Sequence, residues 1–155
     1  MSKSLKRVIA ALEAAGCDSL PAEVGHATTA QMAADLVGCT VDQIAKSIMF
    51  RGETSGAALL FITAGGNQVD AAKASALAGE TLGKANAALI RAQTGFAIGG
   101  VSPIGHLTAP RAFFDPRLLE FDQVWAAAGT PRHVFAMDPD TLLRISGAVT
   151  ADFTA

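Results

Sequence analysis

The chain has 155 residues, of which 50% are hydrophobic and 17% are charged; this composition excludes a disordered protein and predicts one domain over residues 1–155. The net charge of −2 excludes a broad basic face that wraps long nucleic acid, so we expect no DNA partner, whereas contact with one nucleic-acid end stays open. Cys17 and Cys39 have no metal-ligand spacing and no stretch is long enough to span a bilayer, so we expect free thiols, no metal, no membrane contact and a cytoplasmic location.

The first predicted element is an amphipathic helix from about Lys3 to Ala15, which ends at the following glycine because glycine is a suitable C-terminal stop. A short extended piece is expected from about Glu23 to Ala27. Thr28 with Gln31 three residues later resembles a capping box. This pattern predicts a second helix, which ends at Gly38.

Two strands are predicted next in the chain. The segment Ala45–Arg51 alternates, which places Lys46 and Phe50 on the same face of a strand. The segment Ala57–Thr63 is continuously apolar, as is typical of a strand covered on both faces. Because the polar residues 52–56 connect the two segments, the pattern predicts an antiparallel hairpin.

Shorter elements are predicted in the second half of the chain. Helices are expected at about Asp70–Leu77, capped by Asp70, and at about Lys84–Gln93. Strands are expected near Arg111–Phe114, Glu120–Ala126 and His133–Ala136, and a last helix from Asp138-Pro139 through Leu143. Since helices and short strands do not alternate regularly, the chain is predicted to be an α+β protein around a mixed, partly closed β-sheet or barrel flanked by helices.

A glycine-rich loop is the first candidate for a binding site. A predicted apolar strand at residues 95–98 leads into the loop Gly99-Gly100-Val101-Ser102-Pro103-Ile104-Gly105-His106. Glycines let a ligand approach the backbone and present bare N–H groups, and proline fixes the turn. Such a loop can bind a carbonyl oxygen that becomes negative during a reaction, or it can serve as a tight corner alone.

Lys46 is the second candidate, because it shares a strand face with apolar residues. Its ammonium either points into a pocket, where it would suit a phosphate or a polarised oxygen, or extends past the edge of the core. His106 closes the glycine-rich loop and is a candidate ligand contact, whereas His26 and His133 are interpreted as surface or structural residues. Ser102 does not lie in a nucleophile-elbow sequence and precedes a proline, which argues against a Ser-His-Asp hydrolase.

Taken together, Lys46 and the glycine-rich loop give the chain a family resemblance. It resembles the YbaK/ProX family, the free-standing relatives of the editing domain that is inserted in bacterial prolyl-tRNA synthetase. The likeness covers nearly the whole chain and includes the segments Thr29–Ala33, Gln43–Ile48, Asn67–Asp70, Gly99–His106 and Val124–Gly129.

The resemblance implies an aminoacyl-tRNA deacylase that acts in trans on the 3′ acceptor end. It implies no cofactor, and it makes an aminoacyl-tRNA synthetase a candidate partner. It also implies that Lys46 is the catalytic positioning residue, that the Gly100 amide contacts a carbonyl oxygen or oxyanion, and that a hydroxyl of the terminal ribose helps to activate water. The substrate-binding residues implied by the resemblance are Thr29, Gly99, Val101, Ser102, Pro103, Gly105 and His106.

One departure from the family pattern concerns the substrate. The branch that removes cysteine from proline tRNA has a serine and an aspartate in the late strand region, and residues 127–134 have neither at the expected places. Esters of alanine, serine or threonine are therefore at least as well supported as esters of cysteine. Two other interpretations stay open: a non-catalytic module that binds a tRNA 3′ end, a nucleotide or an amino acid, and an interaction protein whose glycines and alanines serve packing alone.

Overall fold

A long antiparallel hairpin forms the centre of the computed structural model, which describes residues 2–155. The helices in this part of the chain are α1 (Lys3–Ala14), α2 (Ala30–Val37), α3 (Ala71–Ala78), α4 (Ala87–Thr94) and α5 (Pro139–Ser146). The strands are β1 (Ala22–Glu23), β2 (Ala45–Gly52), β3 (Ala58–Ala64), β4 (Leu82–Lys84), β5 (Arg111–Phe114), β6 (Val124–Ala127), β7 (His133–Met137) and β8 (Val149–Thr150). Short 3₁₀ helices lie at Val41–Gln43 and Pro116–Glu120.

The strands of residues 2–155 form two sheets. The larger sheet has the order β4-β2-β3-β5-β8 and is mixed, because β2 is antiparallel to β3 and β4 whereas β5 is parallel to β3 and β8. The smaller sheet has the order β1-β7-β6 and is antiparallel. A parallel bridge between Ile44 and Trp125 connects the two sheets. The predicted α+β class, the mixed sheet and the hairpin are confirmed, and the two sheets do not close into a barrel.

The strand β3 is buried along its whole length because each of its faces meets a separate core. Leu60 and Ile62 belong to a core that includes residues of α1 and β7. Leu59 and Phe61 belong to a second core that includes residues of α3. Within this second core, Phe61 stacks on Phe113 with the ring centroids 5.1 Å apart. The continuous apolar run of β3 thus covers two cores, as predicted.

The start of two helices differs from the prediction. Thr29 rather than Thr28 caps α2, because the Thr29 side chain accepts a hydrogen bond from the N–H of Met32 at 3.1 Å. Residues 82–84 pair with the hairpin as β4, so α4 begins only at Ala87. The predicted cap of α3 at Asp70 is present, since its side chain accepts from the N–H of Lys73.

Two predicted strands are also corrected. Residues 95–98 form no strand, because α4 ends at Gly95 in a left-handed conformation (φ 81°) and the chain then turns. The strand predicted from Glu120 begins only at Val124, because Pro116–Glu120 forms a 3₁₀ helix that Asp115 caps. Across residues 2–155, no helix has the length and apolar character needed to cross a membrane.

Candidate active site

A cavity of about 550 Å³ lies between the two sheets. Its walls come from β2, the start of α2, the end of β4, the strand β6 and the start of β7. Loop residues before α2, after α4 and after β6 complete it. The polar side chains along it include Thr29, Lys46, Ser47, Lys84, Thr130 and His133. Among the described residues that line it, none carries a carboxylate or a thiol.

Part of β2 forms a cavity wall because its outer edge has no neighbouring strand there. On its inner edge, β2 pairs with β3 over Ala45–Arg51. On its outer edge, β4 pairs only with residues 50–52, and the bridge from Ile44 to Trp125 holds β6 at the opposite end. Residues 45–49 lie between these two contacts and line the cavity.

Lys46 extends from this wall, and its ammonium is held by two main-chain carbonyl groups. Nζ donates to the carbonyl oxygen of Gly65 at 3.1 Å and to that of Asn67 at 2.6 Å. Burial lowers the pKa of Lys46, and the negative charges of Asp42 and Asp115 oppose that effect. Since an ammonium has three hydrogens, one N–H of Lys46 remains for a ligand.

The turn that holds Lys46 is itself fixed by two carboxylates. Asp115 is only 2% exposed, and its Oδ2 accepts from the N–H of Ala64 at 3.1 Å and from Nδ2 of Asn67 at 2.9 Å. Oδ1 of Asp42 accepts from the N–H of Gly66 at 2.8 Å. Sequence analysis missed both carboxylates, because neither shares a motif with Lys46.

The first half of the glycine-rich loop reaches the cavity. Gly99 and Val101 line it, and Gly99 has a φ of 92°, which favours glycine at this position. Gly100 packs behind them: its N–H donates to the carbonyl of Ala97 at 3.1 Å, and a Cβ there would lie 2.9 Å from Cα of Thr130. The Gly100 N–H would have to leave Ala97 to contact a substrate. Its role stays a prediction.

The second half of the loop packs against α1. Ser102 and Pro103 are buried, and a ring nitrogen of His106, Nε2, lies 2.6 Å from the carbonyl oxygen of Ser102. The carbonyl of Gly105 accepts from Nε of Arg7 at 3.3 Å. The structure separates these four loop residues from the cavity lining, and their binding role stays a prediction.

Two polar groups stand at the mouth of the cavity. Thr29 is exposed and caps α2 through its Oγ1, which leaves its hydroxyl hydrogen able to donate to a ligand. Lys84, at the end of β4, is also exposed. The mouth therefore offers a hydroxyl group and an ammonium to an entering ligand.

His133 lines the cavity, although sequence analysis interpreted it as a surface or structural residue. Its Nδ1 lies 2.7 Å from Oγ1 of Thr130, which also lines the cavity. Its Nε2 lies 3.8 Å from Oε2 of Glu23, the residue paired with His133 across β1 and β7. These contacts hold the ring at the cavity wall. The alternation of β7 contains no signal that its first residue faces a cavity.

Comparison with known proteins identifies the family of this chain. A family model described as "Aminoacyl-tRNA editing domain" matches residues 24–145. The uncharacterized protein YwhH of Bacillus subtilis (strain 168) is 31% identical over 118 residues, which make up 76% of this chain and 74% of YwhH.

Solved structures share the fold over the full chain. The structure of a candidate trans-editing enzyme for prolyl tRNA synthetase is 44% identical, with a TM-score of 0.92, and the match covers 100% of this chain and 99% of that chain. A structure from a study of epitope backbone grafting onto scaffold proteins is 42% identical, with the same TM-score of 0.92 and the same coverage of 100% and 99%. The resemblance found in the sequence is confirmed: the chain belongs to the family of YbaK-like aminoacyl-tRNA editing domains.

Proposed function

We propose that this chain is a trans-editing aminoacyl-tRNA deacylase, which hydrolyses the ester between a mischarged amino acid and the terminal adenosine of a tRNA. The observation that carries the proposal is that Lys46, with its ammonium fixed, and the glycine turn at Gly99 line the same cavity. Membership of the editing-domain family and the likeness to a candidate trans-editing enzyme support it.

The charges and walls of the cavity suit the 3′ end of a tRNA. Lys46 and Lys84 are cations, and the lining residues of the described chain include no carboxylate that would repel a phosphodiester. The remaining walls are mostly apolar, with the small side chains of Ala33 and Ala126 beside the larger Trp125. Such walls favour a nucleoside and a small acyl group over a large charged side chain.

The proposed hydrolysis needs no protein nucleophile, because an aminoacyl ester is already activated. Water adds to the acyl carbon, the carbon–oxygen bond to the ribose breaks, and the ribose oxygen takes a proton, so that free amino acid and tRNA leave. The protein holds the ester in place and stabilises the developing oxyanion. As the family resemblance implies, a neighbouring hydroxyl of the terminal ribose helps to activate the water.

The proposed amino acids are the small ones: alanine, serine, threonine and cysteine. A wall of small residues such as Ala33 and Ala126 selects by volume, and one methylene group is worth about 1–3 kcal/mol. Substrates within this class are therefore expected to overlap. The likeness to the candidate trans-editing enzyme makes proline tRNA the first tRNA to test and a synthetase a candidate partner. Because editing domains act on tRNA, the cytoplasm is the proposed site of action.

A panel of mischarged tRNAs tests the proposal. Purified protein is mixed with proline tRNA that carries labelled alanine, serine, threonine or cysteine, and release of the amino acid is followed. We expect multiple turnovers with at least one ester. Failure to release any of the four, at enzyme concentrations equal to that of the substrate, would contradict a deacylase.

A non-catalytic module is the second candidate, and the lack of a carboxylate among the described lining residues favours it. Such a module would bind the acceptor end, a nucleotide or an amino acid without cleavage. The same panel separates the two functions: saturable binding of the mischarged tRNAs without release of amino acid indicates the module.

A further inference from the structure

The main chain of β2 presents hydrogen-bonding groups alternately to β3 and to the cavity. In an antiparallel pair, residues whose N–H and C=O groups face the partner strand alternate with residues whose groups face away. The N–H of Gly52 donates to the carbonyl oxygen of Ala57 at 2.9 Å. The main-chain N–H and C=O groups of the even-numbered residues of β2 therefore point toward β3, and those of the odd-numbered residues point away from it. Ile62, which lies opposite Ser47, accepts from the N–H of Asp115 on its far side. The N–H and C=O of Ser47 therefore face the cavity.

Ser47 lies at the gap that the neighbouring strands leave. The pairing with β4 stops at Phe50, and the contact with β6 is the bridge at Ile44. Across residues 2–155, no strand pairs with Ser47 on this edge. Its hydroxyl, Oγ, is buried and has no hydrogen-bond partner among these residues. Buried polar groups of this kind are normally paired, so the wall at Ser47 is suited to a polar ligand.

We propose that the main chain of Ser47 binds the α-aminoacyl group of the substrate as a neighbouring strand would bind one residue. This inference rests on the proposed deacylase function. An α-aminoacyl ester carries an amino donor and a carbonyl acceptor at the spacing of the N–H and C=O of one strand residue. The amino group donates to the carbonyl oxygen of Ser47, and the ester carbonyl accepts from the N–H of Ser47.

The other polar groups of the cavity are not suited to bind the α-amino group of the substrate. The lining residues of the described chain include no carboxylate that could pair with an α-ammonium. Lys46 and Lys84 are cations and would repel it, whereas the carbonyl oxygen of Ser47 accepts from a neutral or a protonated amino group. The N–H of Gly100, expected to contact the ester carbonyl, is bonded to Ala97, and the N–H of Ser47 faces the cavity instead.

The substrate class follows from this geometry. The gap between β4 and β6 spans only residues 45–49 of β2, so an acyl group with a free α-amino group fits beside Ser47, whereas an N-acylated group would extend from Ser47 toward a flanking strand. The protein is therefore expected to hydrolyse aminoacyl esters and to spare peptidyl-tRNA. Selection of the α-amino group would be independent of the size of the side chain.

A matched pair of substrates tests the amino group. Proline tRNA is charged with an alanyl or a propionyl group, which differ only in the α-amino group, and each kcat/KM is divided by the rate of spontaneous hydrolysis. We expect this normalised kcat/KM to be about a hundredfold or more lower for the propionyl ester than for the alanyl ester. The reason is that a site that accepts a hydrogen bond from a substrate N–H rejects an analogue that lacks this group. The normalised kcat/KM for N-acetylalanyl-tRNA should be reduced to a similar extent. If serine is the preferred substrate, seryl and 3-hydroxypropionyl groups form the pair.

The variant Ser47→Ala separates the main chain from the side chain. It removes the hydroxyl but keeps the N–H and C=O, so the preference for alanyl over propionyl should persist. Equal normalised rates for the two esters in the wild-type protein would overturn the inference while leaving the deacylase intact. Absence of cleavage with every aminoacyl ester would instead overturn the proposed function.

Amide signals test the contact directly. The probe is 3′-alanylamido-3′-deoxyadenosine, whose amide bond resists hydrolysis. On binding, the N–H signal of Ser47 should shift and its hydrogen exchange should slow, whereas the N–H of Arg51, which is already in the β2–β4 ladder, should change little. Saturable binding that leaves the Ser47 N–H signal unchanged would contradict the inference.

Discussion

The ammonium of Lys46 is held by main-chain carbonyl groups rather than by a carboxylate. Gly65 and Asn67 supply these carbonyls, while the charges of Asp42 and Asp115 act on the ammonium without a direct ion pair. An ammonium fixed by neutral acceptors keeps its net charge for an anionic ligand. The arrangement also restricts the side chain to one position, which is what orientation of a substrate requires.

Replacing Lys46 by alanine should remove activity and spare the fold. We expect kcat/KM for the best ester of the panel to fall by at least about a hundredfold, because the fixed ammonium that is proposed to position the substrate is lost. The melting temperature should change little, since water can replace the ammonium at the partly exposed Gly65 and Asn67 carbonyls. Lys73→Ala, outside the cavity, is the control and should keep full activity. If Lys46→Ala unfolds instead, Lys46 is a structural residue.

Asp115 is expected to act on the reaction through Lys46. Asp115→Asn replaces an acceptor of three N–H groups, those of Ala64, Asn67 and Arg117, and should destabilise the fold by roughly 2 kcal/mol. The 64–67 turn then shifts, so kcat should fall by about tenfold while KM changes little, because the ammonium loses its position rather than its charge.

The control for Asp115→Asn is Asp152→Asn. The carboxylate of Asp152 is exposed in an ion pair with Lys73, so its loss should change stability and activity little. The readouts are kcat and KM, measured well below the melting temperature of each variant. An unchanged kcat in a destabilised Asp115→Asn protein would show that Asp115 serves stability alone.

Part of the lining of the candidate site was predictable from the sequence. Lys46 and Gly99 were found because strand alternation and a glycine turn are local signals, and both line the cavity. Asp115 and His133 were missed because their positions at the candidate site come from contacts across the fold, with the 64–67 turn and with Thr130. His106 stood in a recognisable motif, yet its ring is bonded to the Ser102 carbonyl, outside the cavity lining.

At the scale of elements, the loop after α4 joins the cavity to the N-terminal helix. Its first part lines the cavity, and its second part is bonded to α1 through Arg7, which donates to the carbonyls of Gly95 and Gly105. His106 lies in the second part, beside the ring of Phe96 at a centroid distance of 5.2 Å. The position of the cavity wall thus depends on how this loop packs on α1.

This packing should weaken in acid through His106. Burial lowers the pKa of His106, with Arg7 adding to the effect and the Ser102 carbonyl opposing it. Because the folded state holds the ring neutral, its stabilisation is complete above the unfolded pKa of about 6.5 and is lost as pH falls through the folded pKa. The free energy of unfolding should fall by up to about 1.4 kcal/mol per pH unit in that window.

The measurement compares melting or urea unfolding between about pH 7.5 and about pH 5 in variants that lack one imidazole. His106→Gln keeps a donor for the Ser102 carbonyl and should show a weaker pH dependence than the wild-type protein. His26→Gln removes an exposed imidazole and should behave like the wild type. Identical pH dependence in all three proteins would contradict this role of His106.

Long periodic segments were predictable, whereas the strands β4 and β8, of three and two residues, were not. The pair β2 and β3 and the helix α1 were found because alternation, continuous burial and helical spacing persist over many residues. The strands β4 and β8 contain three and two residues and exist only because they pair with β2 and β5. A pattern of two or three residues cannot show such pairing, which depends on the rest of the fold.

At the scale of the whole molecule, the candidate site lies between the two open sheets. The larger sheet supplies Lys46 and Lys84, and the smaller supplies His133, so neither sheet contains the cavity alone. The molecule has a net charge of −2, and the cations of the cavity are therefore a local feature on a weakly negative protein. Recognition is expected to concentrate on the last nucleotides of the tRNA rather than on its body.

The salt dependence of activity measures how many phosphates of the tRNA the protein contacts. If Lys46 and Lys84 contact two phosphates of a single-stranded acceptor end, kcat/KM under subsaturating substrate should fall about sevenfold between about 50 mM and about 200 mM salt. Lys84→Ala should reduce that fall to between about twofold and about threefold, because one counterion fewer is released. A fall of several hundredfold would require about six phosphate contacts and would place the body of the tRNA on the protein surface.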